Sequence, residues 1–382
     1  MQRSTDRILT THTGSLPRPD DLVAMVAGKD QQEVQRDAVF DRRVTEAVHE
    51  IVQKQVEAGV DVINDGEASK VGYATYVTER LTGFEGASRP SPAQVEAADF
   101  PEFYQARVPG PATIKRPVCT GPISWRGDAL VQRDIANLKV ALEGVTAVDT
   151  FMTAASPGVV WNFLENDYYA NDDAYVFAVA DAMKHEYRAI VDAGFVLQLD
   201  APDLAMGWNR HVFAGKSIDE FRTVADMHVE AMNHALEGIA ADRVRLHLCW
   251  GNFEGPHIRD IPLARIFDIA IKTRAQAISF EGANPRHEHE WKLFKEHILP
   301  EGRILIPGVL DSTTNFVEHP ELVAERLVRY AELVGRENVI AGTDCGFSTF
   351  ARAQLTVHPR VTWAKFQAMA DGARLASEQL WG

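Results

Sequence analysis

Cysteine is scarce in this sequence, with three residues among 382. An odd, small number does not make a disulfide framework, so a packed core has to hold the fold and the thiols stay free for other chemistry. Long apolar runs are missing as well. Nothing approaches the ~20 apolar residues of a membrane span, and Met1–Asp6 is polar rather than the start of an apolar leader. A cytoplasmic chain with no membrane partner is therefore expected. Positive charge is also in deficit: 39 Lys and Arg stand against 54 Asp and Glu, a formal net charge of −15. That balance argues against nucleic acid or an anionic lipid surface as partner. No repeat of 20–50 residues is visible and no linker divides the chain, so one domain over residues 1–382 is expected. With 46% hydrophobic residues the chain can build a sizeable core.

What the sequence does have is alternation. Short β-prone runs at Arg7–Thr13, Val60–Asp65, Pro117–Ile123, Thr150–Ala154, Phe195–Asp200, Val244–Trp250, Ala277–Glu281, Arg303–Leu310 and Val339–Thr343 are separated by stretches of helical spacing. The clearest helical stretches are Arg42–Ala58, Asp172–Ala193, Ile218–Ala240 and Pro320–Val334. Such βα units predict a parallel sheet with helices around it. Ala58-Gly59 and Ala193-Gly194 read as helix C-caps that feed strands. Nine candidates are one too many for a (β/α)₈ TIM barrel. The surplus lies in the Pro- and Gly-rich stretch after the second βα unit, read as an excursion over about 84–150: an arm or hairpin that includes Pro117–Ile123. The third barrel strand is then Thr150–Ala154; the alternative exchanges these two runs.

In a barrel, reactive groups gather at the C-terminal ends of the strands. The strongest pair is in Val244-Arg-Leu-His-Leu-Cys-Trp-Gly251. Side chains at i and i+2 of a strand share a face, so His247 and Cys249 present an imidazole and a thiol together. Glu281 ends another strand-like run, and Cys345 follows a third. Imidazole, thiolate and carboxylate are donors that Zn²⁺ accepts in a tetrahedral set. Other histidines read differently. His287 and His289 alternate with glutamates and are expected in a solvated loop, while His257 and His297 are expected at the surface. Cys119 is expected to lie buried in the excursion.

Taken in order, the strand ends are Thr11-His-Thr-Gly-Ser15, Asn64-Asp-Gly-Glu67, Leu199-Asp-Ala-Pro202, His247-Leu-Cys249, Phe280-Glu-Gly282, Pro307-Gly-Val-Leu-Asp311 and Thr343-Asp-Cys-Gly346. This series resembles the catalytic barrel of the cobalamin-independent methionine synthases over nearly the whole chain. It corresponds to the C-terminal half of the long enzymes. The resemblance implies a MetE-like barrel and methyl transfer from methylfolate to homocysteine. It also implies zinc on His247, Cys249, Glu281 and Cys345. Ser15 and Glu67 then hold the amino-acid end of the thiol, with Asp200 on its amino group.

Two departures bear on the donor. The family's Glu-Pro-Ala after the aspartate is Ala201-Pro202-Asp203 here. Thr313 stands where the synthases carry a histidine for proton transfer. His12 and Asp311, at two other strand ends, are the remaining candidate catalytic groups. The competing expectations are zinc-thiolate addition to an epoxide, as in epoxyalkane:coenzyme M transferase, a non-catalytic zinc-binding barrel, and a metal-free decarboxylase-like relative. The partners expected are a small thiol and a methyl or alkyl donor, and the long arm leaves a homo-oligomer open.

Overall fold

The computed structural model describes residues 1–27, 37–90, 94–106, 115–351 and 355–382. Among these, eight parallel strands form one sheet in the order β1-β8-β7-β6-β5-β4-β3-β2. They are β1 (Leu9–Thr10), β2 (Val62–Ile63), β3 (Asp149–Ala155), β4 (Val196–Asp200), β5 (Val244–His247), β6 (Ala277–Phe280), β7 (Ile304–Leu310) and β8 (Ile340–Thr343). The edge strands β1 and β2 make no ladder. Asp61 N–H donates to the Thr10 carbonyl at 3.2 Å and Thr11 Oγ1 donates to the Val62 carbonyl at 2.9 Å. These bonds nearly close the sheet into a barrel, the fold the alternation predicts.

The helices form where the caps say they should. Asp37 accepts from Val39 N and Phe40 N at the head of Ala38–Glu57. Ser217 and Glu220 make a capping box on Ile218–Ala235. Proline occupies the first turn of Pro320–Val334 and Pro359–Trp381. The long helices bury their apolar stripes in one core. A buried arginine, Arg80, binds Asp134 and Glu186 and so ties three helices together. Among the described residues no helix is long and apolar enough to cross a membrane.

Inside the barrel the side chains change character with height. Leu9, Ala277, Ile304, Ile306 and Ile340 pack in one apolar cluster, and Val62, Phe151 and Val196 in another. Beside them Arg245 lies over the Phe151 ring at 3.5 Å and donates to Gln198 Oε1 at 2.7 Å and Thr11 Oγ1 at 2.9 Å. The next inward positions on the same two strands are Asp200 and His247, which are register partners. The alternation of a strand thus carries the lining from apolar floor to polar mouth.

Pro117–Ile123 gives no strand to this sheet, and the third strand is Asp149–Ala155. Instead 82–89 and 116–124 run antiparallel, with bridges Leu81–Trp125 and Ser88–Pro117. Between them, 94–106 returns to the mouth. Gln94 bridges to Arg210, and the buried Glu96 accepts from His257 N at 3.0 Å and Arg259 N at 3.1 Å. Parts of the excursion, 91–93 and 107–114, lie outside the described residues. Cys119 is buried here and donates to the Gly121 carbonyl.

Candidate metal centre and active-site cavity

A cavity of about 300 Å³ opens at the C-terminal mouth of the barrel. His247, Cys249 and Cys345 lie on its wall, and their donor atoms fall within 4.8 Å of one another. Cys345 Sγ is 3.6 Å from His247 Nε2. All three are buried. Cys345 reaches the group because β8 ends at Thr343 and Asp344 N–H is tied to the Leu310 carbonyl, which turns the next residue inward.

The electrostatics of this group call for a cation. Burial, more than any other cause, pulls the His247 imidazole down to about 4, so it is neutral with a lone pair free. Its Nδ1 is buried without a hydrogen-bond partner. The neighbouring Cys249 thiol and then burial push Cys345 well above the usual thiol range. Burial and then Cys249 push the Glu281 carboxyl well above its usual range. Crowded in low dielectric, the Cys345 thiol and the Glu281 carboxyl hold protons that a divalent metal would displace. The residues present therefore fit a metal such as zinc.

Glu281 stands apart from the group of three. It is buried, its Oε1 accepts from Trp250 N at 2.8 Å and its Oε2 from Asn284 Nδ2 at 2.7 Å. A carboxylate has about four lone-pair sites, so both bonds leave room for a further one. Asp344 positions this loop, accepting from Gly282 N, Ala283 N and Asn284 N, each at 2.8 Å. Sequence reasoning missed Asp344 and Asn284, although Asp344 directly precedes a candidate ligand.

Ser15, Glu67 and Asp200 line the same cavity. Glu67 Oε1 accepts from Thr153 Oγ1 at 3.0 Å, while its Oε2 is buried with no partner. Its backbone is left-handed, at φ 56°, a conformation rare outside glycine and concentrated at functional sites. Arg18 holds it there, donating to the carbonyls of Glu67 at 2.6 Å and Lys70 at 3.0 Å and to Ser348 Oγ at 2.7 Å. Gly14 must be glycine, because a Cβ there would come 2.7 Å from Glu67 Oε1. Ser15 Oγ accepts from Ser348 N at 3.3 Å. Asp200 accepts from Gln198 Nε2 at 2.7 Å, and burial, reinforced by the Glu67 charge, raises its carboxyl to about 7.

The other candidates fall elsewhere. His12 is not on the cavity wall. It packs against Phe366, donates from Nε2 to Gln55 Oε1 (2.7 Å) and accepts from Gly14 N at Nδ1. Burial takes it down to about 3, so near neutrality it is a neutral imidazole and not an imidazolium acid. Asp311 closes its own turn, accepting from Thr313 N and Oγ1 and from Thr314 Oγ1. Its neighbour Ser312 is the residue that reaches the cavity. His287, expected in solvent, is buried: it stacks on Trp250 at 3.9 Å and bonds Asp260 and Glu290. His257 is half-buried against Asp260.

A (β/α)₈ barrel whose mouth gathers a histidine and two cysteines around a small cavity has the donor set of a barrel enzyme with a metal site. Residues 8–365 match the family described as "Cobalamin-independent synthase, Catalytic domain". The chain belongs to that family and is a transferase of it. It is 26% identical over 380 residues to a methionine synthase of Saccharolobus solfataricus, covering 97% of this chain and 95% of that one. A methionine synthase of Sulfolobus acidocaldarius is 26% identical over 379 residues, covering 97% and 93%. A B12-independent methionine synthase from Shewanella sp. W3-18-1, solved with selenomethionine, shares the fold with a TM-score of 0.73 at 20% identity, covering 98% of this chain and 99% of that one.

Proposed function

We propose that this protein transfers a methyl or alkyl group to the thiol of a homocysteine-like amino acid. The observation that carries the reading is the shared wall. The His247–Cys249–Cys345 group and the acids Glu67 and Asp200 face one cavity. A thiol set at the first and an ammonium set at the second are the two ends of one small molecule. The relatives named methionine synthase, and the selenomethionine in the Shewanella structure, support the same acceptor.

His247, Cys249 and Cys345 would hold zinc, with Glu281 available as a fourth donor. Bound zinc would keep a substrate thiol deprotonated and nucleophilic near neutral pH, where a free thiol of pKa ~8.5 is mostly protonated. The remaining work falls to the chain. Glu67 offers its unpartnered Oε2 to the ammonium, and Asp200 provides a second acceptor. Ser15 anchors the same end through the Ser348 turn. Phe163, Phe253, Phe347 and Phe350 line the cavity and keep water from the reacting carbon. A cytoplasmic setting, which keeps thiols reduced, completes the reading.

One observation favours a second donor class. Among the described lining residues the only imidazole is His247. Expelling an amine from methylfolate requires its protonation, worth about 10²–10⁴ in rate. Donors that need less help, an epoxide or a corrinoid-bound methyl, suit this cavity better. Product identification by mass spectrometry decides. Zinc-loaded protein is incubated with homocysteine or coenzyme M against methylfolate, methylcobalamin and epoxypropane. Methionine formation is the expected result; no alkylated thiol from any pair would end the proposal.

A further inference from the structure

Among the described residues the cavity carries one cation that the thiol chemistry leaves unused. Arg116 enters it from the returning half of the arm. Its main-chain N–H donates to Ser88 Oγ at 2.7 Å, and its carbonyl accepts from Arg89 N at 3.1 Å. The backbone is thus fixed on both sides. The guanidinium lies over Phe163, 4.8 Å from the ring centroid. Stacking occupies a face and leaves the N–H edges free to meet an anion.

No such anion comes from the described residues. Among the described residues no carboxylate pairs with Arg116, and its Nε is buried with no partner. Glu165, the acid whose charge it feels, is paired with Arg89. The contrast with other buried arginines is sharp. Arg80 has Asp134 and Glu186, Arg245 has Gln198 and Thr11, and Arg326 has Glu288 and two carbonyls. Arg210 lies off this wall, in a neighbouring depression with Trp161 and Glu165. Its guanidinium sits 5.4 Å from the Trp161 centroid, its main chain bridges to Gln94 of the cavity wall, and no described carboxylate pairs with it. Burial, and then the charge of Arg116, pull it down to about 10. In a chain of net charge −15, a guanidinium on the cavity wall with no carboxylate partner among the described residues stands out.

The cavity is therefore dipolar, with Glu67 and Asp200 acidic and Arg116 basic. An amino-acid thiol accounts for the acids. We propose that Arg116 anchors an oxyanion subsite that selects an alkyl donor bearing a carboxylate, sulfonate or phosphate on an apolar body. This rests on the reading of the cavity as a thiol-alkylating site. The same chemistry could come from the acceptor's own carboxylate, and the test separates the two.

Full-length, zinc-loaded protein is titrated calorimetrically with benzoate, benzenesulfonate and the neutral benzamide, with and without homocysteine. Both anions should bind more tightly than benzamide. Arg116→Gln should weaken the anions about tenfold or more and leave benzamide unchanged, Arg116→Lys should recover part of the loss, and added salt should weaken only the anions. Unchanged anion affinity in Arg116→Gln, equal affinity for benzoate and benzamide, or no saturable binding of either anion overturns the subsite. Anion binding that persists beside homocysteine supports the donor; competition places the acceptor's carboxylate there and overturns the donor assignment. The probes need no turnover. A failed alkyl-transfer reading therefore shows as missing product with anion binding intact, and a failed subsite as product formation indifferent to Arg116.

Discussion

Replacing Glu67 by glutamine removes one negative charge from the cavity and leaves its shape. The structure makes the consequence specific. Oε1 is already bonded to Thr153 Oγ1, but Oε2 is buried with nothing to accept from. A buried unsatisfied acceptor costs ~1–3 kcal/mol, which the free protein bears and an incoming ammonium relieves. A hydrogen bond between charged groups contributes about 1.5–3 kcal/mol, equal to roughly ten- to a hundredfold or more in affinity. Glu67→Gln should weaken homocysteine by that factor. It should weaken 4-mercaptobutanoate, the same thiol without its amine, far less. Calorimetry on zinc-loaded protein measures both. Thermal stability should hold or rise, since the free state no longer strands a charge. Equal losses for the two thiols would refute the assignment of the ammonium to this end. So would a fall in stability with unchanged selectivity.

Two further outcomes follow from the same coordinates. His12→Ala should lower stability by about 1–3 kcal/mol, through the Gln55 bond and the packing on Phe366, while single-turnover alkylation persists; its abolition in folded protein would return His12 to the chemistry. His287 is raised from 6.5 to about 10, with burial opposing and the hydrogen bonds to Asp260 and Glu290 prevailing. Its folded value lies above its unfolded one, so its contribution is full below about 6.5 and is lost as pH rises through about 10. The Tm gap between wild type and His287→Gln should therefore shrink from pH 6.5 to pH 10, and a gap that widens with pH would contradict the ion-pair reading.

Much of this was legible in the chain because strand physics is periodic. The i, i+2 rule puts His247 and Cys249 on one face, and the parallel register sets Asp200 beside His247. The same alternation held the answer for His12. Thr11 and Thr13 meet Arg245 and the cavity, so the residue between them faces the helices. His287 misled for a local reason: the alternation of His287 and His289 with glutamates suggested solvent, but Glu290 folds back onto the ring. Arg116 and Arg18 had no local signal. Arg116 matters because the arm returns to the mouth, and Arg18 because it joins loops 49 to 330 residues away in sequence. Contacts of that range are set by the closed barrel and leave no periodic trace.

The metal centre is the claim on which the rest depends, and metal content tests it most directly. Zinc should be present at about one per chain by mass spectrometry of the purified protein. Cys249→Ser and Cys345→Ser should each lose most of it, because a hydroxyl is a poor substitute for thiolate at zinc, while Cys119→Ser, buried in the arm, should keep it. Full retention of zinc in both cavity variants, or its loss only from Cys119→Ser, would contradict the account.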